Sequence, residues 1–511
     1  MKNKTGFFLL LGVICIFNLF GTSLLAQSLP GKGDSINSAV LNEKRFIQVV
    51  LPEKYKPGST DKYDVLYVLD GEGNTRTIND IQHFIESESY MPPTIIVGIL
   101  NTDRNRDFLP THTQEIKTSG GADKFLRFFK DELIPYVNKT YPSNGENIIF
   151  GHSFGGVFVT YALLLEPQLF KSYIAADPSY WWDNGVMITM TAGKLANLTN
   201  LGKTFYFSGR EGRGLTEMRI PPMDSLLKKL APAGLTWKIS AYPDETHGSV
   251  RLKSIYDGLR FTYEGYSTNA IAFHPMNGTV LKDKPFTLWW FADTANVKYT
   301  TGGTEPTISS AQIKTFNILD NPGKVTVKTF TSHPKYDKTV SGNFRTADYL
   351  PAVKLPKNMK PGGFDYAYYE GQWDSLPDFN KLMPVKTGKA DSNFTLEKLP
   401  LKNNFGVVIS GLIEIKEDGY YVFALNSDDG SKFYLNNQLL MNNDGLHSTG
   451  DPKSYIAPLR KGFYPMREEY FQKDGGRSLE LQWVTPGSIN SKQPKPLSIP
   501  LMQQYGKNSG N

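Results

Sequence analysis

The 511-residue sequence predicts an open, mostly parallel α/β sheet with helices on both faces, followed by two β-rich regions. Three observations predict it. From about residue 40 to 265, short apolar strands alternate with segments of helical periodicity. Near-continuous hydrophobic strands of this kind are what a sheet buried on both faces requires. After Tyr266 the helical period stops and period-two patches such as FTLWWFA, VKYTT and KVTVKTF take over, with turn residues between them. A Pro/Lys/Gly-rich stretch, LPAVKLPKNMKPGG, then precedes a second β-rich, aromatic region containing GVVISGLIEI, GYYVFALNS and LELQWVTP.

Taken in order, the chain opens with Lys2 and Lys4, an apolar run from Gly6 to Phe20, and small or polar residues through Ser28. That is the pattern of a secretory leader over residues 1–27, with Ala26 the last residue before cleavage. The run is shorter than the ~20 residues of a spanning helix, so no stable membrane insertion is expected after processing. The single cysteine, Cys15, follows Ile14 rather than Gly or Ala, which argues against a lipoprotein leader. The processed chain would hold no thiol, disulfide or cysteine metal site. The expected location is the periplasm, the cell surface or the medium. A composition of 40% hydrophobic and 21% charged residues, with a net charge of +6 and no long basic block, describes a globular protein without nucleic acid as a partner.

Residues 28–266 form the predicted α/β domain. Its expected strands are RFIQVVLP, VLYVLDG, TIIVGI, NIIFGH, SYIAADP, TFYFSG and WKISAYP, and KFLRFFKDELIPYVNKTY is among its helical stretches. A small β-sandwich is expected over 268–350, a linker over 351–363, and a third, β-rich module over 364–505.

Within the first domain, NIIFGHSFGG (147–156) places Ser153 in G-x-S-x-G, with a strand before it and the helical VFVTYALLL after it. This is the context of a strained strand-to-helix turn that presents a nucleophilic hydroxyl. A serine alcohol needs a base. Of the seven histidines, His83 and His112 precede the elbow and His274, His333 and His447 lie beyond this domain, so His247 in YPDETHGSV, just after the last predicted strand, is the one left in the right order; His152, next to the serine, should point away from the hydroxyl. The acid that orients the imidazole is expected after a strand between the two. Glu211 in TFYFSGREGRG is the first choice and Asp177 in YIAADPSYWWD the second, while Asp244 is read as a loop acid. The oxyanion donors are expected to be the Phe154 amide and a backbone N–H of Gly71 or Glu72. Tyr180, Trp181 and Trp182 follow a strand C-terminus, where ligands of open α/β sheets bind, and are candidate substrate contacts. No HExxH, ligand-spaced histidine pair or P-loop is present, so neither a metal nor another cofactor is expected.

With these residues in hand, VLYVLDGEGN, VGILNTDRNRDFLP, GHSFGG, DPSYWWDN and DETHGSV together resemble the esterase family related to esterase D, which includes feruloyl, acetyl-xylan and siderophore esterases. The resemblance implies an α/β-hydrolase fold and a cofactor-independent serine esterase. Residues 297–313 resemble the small β-domains of chitobiase-like enzymes. YYEGQWDSLPDFN, GYYVFALNSDDGSKFYLNN and LELQWVTP are similar to the PA14 domain, for which Asp428 and Asp429 match an acidic pair that holds calcium in sugar-binding relatives. Asp-Asp-Gly is equally good tight-turn chemistry, and the turn reading is preferred. The appended modules direct the expectation toward acetyl or feruloyl esters of polysaccharides, with glycan binding by the PA14-like module. A siderophore or other small-ester hydrolase and a non-catalytic glycan-binding protein are the alternatives.

Overall fold

The computed structural model describes residues 30–507, apart from 200, 321, 391–393, 395 and 490–493. The leader expected over 1–27, with Cys15, lies outside the described residues. The chain divides into two compact units, residues 1–81 with 93–255, and residues 82–92 with 256–511.

The first unit is built on an eight-stranded sheet: β1 (Lys32–Ser38), β2 (Glu43–Val50), β3 (Tyr63–Val68), β4 (Thr94–Ile99), β5 (Ser143–His152), β6 (Ser172–Ala176), β7 (Lys203–Arg210) and β8 (Leu235–Tyr242). Their order across the sheet is β1-β2-β4-β3-β5-β6-β7-β8. The first two pairings are antiparallel and the rest parallel. All seven expected strands form. β1 was not expected: KGDSINS is polar and half exposed, as an edge strand can be.

The interior strands carry the core. Val65, Ile95, Val97, Ile149, Tyr173 and Phe207 are buried in one cluster. The helix Phe154–Leu165 is buried from Gly155 to Leu164, so the sequence supplies an apolar surface all round rather than a single stripe. Strand order reverses between β3 and β5, and the crevice at the carboxyl ends of such strands is where open α/β sheets place their sites.

The two β-rich regions expected over 268–350 and 364–505 fall together in the second unit. One nine-stranded sheet runs through both β-rich regions. Its connecting piece is the four-residue strand Asn277–Val280, which pairs in parallel with Thr339–Thr346 on one side and Lys453–Leu459 on the other. Phe273, Val325 and Val327 share a core with Val422, Ile456 and Val484. The expected linker is partly structured as well: Met359–Pro361 pairs with Gln504–Lys507, and Leu350 and Val353 bridge to Leu459 and Phe463. The unit also holds an eight-stranded sheet containing Phe405–Ile415 and Gly462–Gln472, and a two-stranded sheet of Phe286–Trp289 with Phe316–Leu319. Among the described residues no helix is long and apolar enough to cross a membrane.

Candidate active site

β5 ends at His152, and the next residue, Ser153, adopts φ 59° and ψ −117°. A non-glycine residue in the left-handed half of φ space stores strain, and such strain concentrates at functional sites. The surrounding glycines make the turn possible, though unequally. A Cβ on Gly151 would overlap the Gly155 carbonyl, and one on Gly156 would approach Pro178 to 2.8 Å, whereas one on Gly155 would meet nothing nearer than 3.6 Å. The turn is tied to its neighbour strand by the Ser153 N–H, which donates to the Ala176 carbonyl at 3.0 Å.

The hydroxyl of Ser153 lies 3.0 Å from Nε2 of His247, and Nδ1 of His247 lies 2.7 Å from Oδ2 of Asp177. With Asp177 as acceptor, Nδ1 carries the proton and Nε2 presents its lone pair to the serine. That is the tautomer a general base needs. Asp177 is fully buried, follows directly on β6 with φ 40°, and donates its own N–H to the Ser208 carbonyl. Nε of Arg210 donates 2.7 Å to the same Oδ2.

Glu211, the first-choice acid, is not in this relay. Its side chain is exposed, and its N–H donates to the Tyr242 carbonyl, which aligns the turn with the edge strand β8. It is Arg210, one residue earlier, that reaches inward. The runner-up, Asp177, takes the position because β6 lies beside β5, one strand closer to the nucleophile than β7.

His152 points away from the hydroxyl, as expected. Its Nε2 lies 2.7 Å from the His247 carbonyl. Burial pushes its pKa down to about 4, so at neutral pH the ring is uncharged and Nε2–H is the donor that holds the His247 loop. Sequence reasoning missed Ser179. Its hydroxyl lies 3.0 Å from Ser153 Oγ, and its N–H donates to the Ser153 carbonyl at 3.2 Å. When Ser153 donates to His247, Ser179 is left to donate to Ser153. The signal in the sequence was the two-residue spacing from Asp177 in DPS.

The loop after β3 was expected to supply an oxyanion donor. Asp70 has φ 52° and is gripped by Arg104 (Nε 2.6 Å, Nη2 3.0 Å) and by Nδ2 of Asn101 at 2.8 Å. Arg104 also donates to the His152 carbonyl at 3.3 Å, which links this loop to the elbow. Gly71 begins the helix Gly71–Ser87, where a Cβ would come within 2.7 Å of the Ile99 amide nitrogen. The Glu72 carboxylate accepts from Asn101, which leaves the backbone as this residue's available group. Phe154 is the first residue of its helix, and first-turn amides have no intrahelical acceptor.

Of the three candidate aromatic contacts, only Trp181 is presented to solvent, 43% exposed, with its ring 5.8 Å from that of Phe154. Tyr180 is fully buried; its hydroxyl is 2.8 Å from Thr160 Oγ1, and burial raises its pKa. It is a core residue. Trp182 is 4% exposed, and its Nε1 donates 3.1 Å to Thr111 Oγ1, so it anchors the loop. After it, Asp183, Asn184 and Gly185 adopt φ values of 40°, 55° and 85°, a left-handed turn whose Asn184 carbonyl accepts from Arg219 Nη1 at 2.9 Å. In the second unit, the Asp429 carboxylate accepts from the Lys473 N–H at 2.8 Å and its backbone N–H donates to the His447 carbonyl. These are turn-fastening bonds.

Comparison with known proteins finds two matching families. Residues 38–199 match the family described as "Putative esterase", and residues 377–495 match the PA14 domain. The chain is 30% identical over 187 residues to ferri-bacillibactin esterase BesA of Bacillus subtilis, covering 32% of this chain and 64% of that protein. It is 29% identical over 180 residues to siderophore enterobactin esterase of Emericella nidulans, covering 30% and 59%. It therefore spans less than two thirds of the length of the curated relatives it matches. Among solved structures, an IroE-like serine hydrolase from Shewanella oneidensis is 32% identical with a TM-score of 0.42, covering 45% of this chain and 78% of that one. The BES protein of Bacillus cereus is 25% identical with a TM-score of 0.41, covering 45% and 94%. The family likeness thus rests on residues 38–199 for the "Putative esterase" model and on residues 377–495 for the PA14 domain.

Proposed function

We propose that the protein is a serine hydrolase of carboxylic esters, and that its substrates are siderophore esters. The observation that carries the chemistry is the unbroken relay from Ser153 through His247 to Asp177, with 3.0 Å and 2.7 Å links. In the first step, Oγ of Ser153 attacks the ester carbonyl carbon while its proton passes to Nε2 of His247. The negative charge that develops on the carbonyl oxygen is held by the Phe154 amide and by an N–H of Gly71 or Glu72. The tetrahedral intermediate expels the alcohol, which takes the proton back from His247. Water, deprotonated by the same imidazole, then releases the acid and restores the serine. Asp177 keeps its negative charge throughout and stabilises the imidazolium.

The substrate class rests on the relatives, whose names specify siderophore esters. The polysaccharide esters suggested by the appended modules have no comparable support. Trp181 supplies an exposed ring beside Phe154 for an aromatic acyl group. Export is part of the proposal and rests on the charge–hydrophobe–small pattern of residues 1–27; fractionation of cells, with N-terminal sequencing of the product, tests it.

Purified protein is assayed against enterobactin and bacillibactin, feruloyl esters and acetylated xylan, with Ser153→Ala as control. Expected are cleavage of the siderophore esters and covalent labelling of Ser153 by a fluorophosphonate. Labelling with turnover confined to xylan or feruloyl esters would overturn the substrate class, and absence of labelling would overturn the mechanism.

A further inference from the structure

Along the strand Gly462–Gln472 the inward face carries Tyr464, Met466, Glu468 and Tyr470. Three of them belong to the apolar core of this unit, and a glutamate holds the remaining place. Across the ladder it stands opposite Ile409 on one side and Phe433 on the other, both core residues. Glu468 is 4% exposed, and its Oε1 has no hydrogen-bond partner among the described residues. Burial pushes the carboxyl up to about 8. The adjacent Glu469 faces the other way and accepts 2.7 Å from Arg467 Nε. A buried carboxyl with an unmatched oxygen is costly and uncommon in a core. Departures from apolar patterning of this kind are expected where a site has been built.

Glu468 borders a cavity of about 420 Å³, within the range of about 300–1,000 Å³ of small-molecule sites. Phe364, Ile409 and Leu481 provide apolar wall, and Gln482 adds an amide. The charged groups of the lining are Glu397, Glu468, Glu480 and Arg477. The guanidinium is directed to the Leu401 carbonyl, at 3.4 Å. Glu397 and Glu480 are exposed, so Glu468 is the buried carboxyl of this lining.

We propose that this cavity binds a small organic cation whose ammonium group is seated on the Glu468 carboxylate. Such a ligand supplies the positive charge that the buried carboxylate lacks, and its carbon skeleton meets the apolar wall. The Phe364 ring adds a surface that attracts cations. The volume is several times what a bare metal ion fills, which favours an organic ligand. The inference stands apart from the esterase reading, because all these residues lie outside the esterase-family domain.

The full chain is titrated calorimetrically with putrescine and with choline, with glucose and calcium chloride as controls at matched ionic strength. Runs are made at about pH 6.5 and about pH 8.5, on either side of the carboxyl's value. Binding of an amine must ionise the carboxyl. At the lower pH close to one proton is released, read from heats in two buffers of different ionisation enthalpy, and affinity rises up to about tenfold per pH unit below the carboxyl's value. Glu468→Gln, nearly isosteric, is expected to lower amine affinity at least about tenfold and to abolish the proton release. The proton count needs no variant, so it stands as a test even if the substitution disturbs folding. The proposal is overturned if neither amine binds up to about 10 mM, if glucose or calcium binds in their place, or if Glu468→Gln binds as the unaltered chain does.

Discussion

Asp177 accepts from both His247 and Arg210 on one oxygen, and this concentrates the orienting role in a residue without an exposed surface. Asp177→Asn would present an amide that favours the wrong imidazole tautomer, so kcat should fall by about 10⁴ while the protein remains folded. Glu211→Gln, in an exposed turn, should change kcat by less than about twofold. Steady-state kinetics on a labile ester checks both, and equal losses would show that the two acids have been misassigned. Ser179→Ala removes the donor to Ser153 Oγ; a charge-assisted hydrogen bond of about 1.5–3 kcal/mol corresponds to a loss of tenfold or more in kcat with KM little changed. Ser179→Thr should restore part of it. His152 gives a pH signature. Its folded pKa lies below the ordinary 6.5, at about 4, so the unfolded chain takes up the proton first. The stability linked to the neutral ring is fully present above about pH 6.5 and is lost as pH falls from there toward 4. Thermal unfolding of His152→Gln should decline less steeply over that window than that of the unaltered chain. Ser153 and His247 were legible because few residues satisfy strand–serine–helix order and a histidine after the last strand. The acid was not, because two strands, β6 and β7, both end in candidates and only their lateral order distinguishes them.

The elements around the nucleophile were read well where hydrophobic period and punctuation agree, as in NIIFGHSFGG. The polar strand β1 and the left-handed turn Asp183–Gly185 carry no such period and were not seen. The division of labour among the elbow glycines is also a matter of neighbours rather than of motif. Gly151→Ala forces a methyl into the Gly155 carbonyl and should cost about 2 kcal/mol or more. Gly155→Ala has ordinary van der Waals space, and alanine's better helix propensity of up to about 1 kcal/mol offsets small adjustments. Denaturant unfolding of the two variants should therefore separate them by at least about 1 kcal/mol, with Gly151→Ala the less stable.

For the whole molecule, the β-rich regions were legible as two modules and illegible as one body. NGTV is too short to announce a strand, and parallel pairing between distant segments leaves no local trace. The stretch 350–363 has the composition of a spacer, yet it contributes a strand and two bridges. A fragment of residues 364–507 would expose one edge of Lys453–Leu459 and the side of the shared core formed by Val422 and Ile456. It is expected to aggregate, whereas residues 268–507 retain the whole nine-stranded sheet and should be monodisperse by size-exclusion chromatography. Asn277–Val280 hydrogen-bonds to both neighbours, and a Cβ at Gly278 would overlap Ile456. Recombination that grafted in a foreign PA14 cassette at the proline-rich stretch would therefore break a ladder it had not inherited. Exchange in this lineage is expected to move the two β-rich regions together, with Gly278 and Ile456 changing in concert.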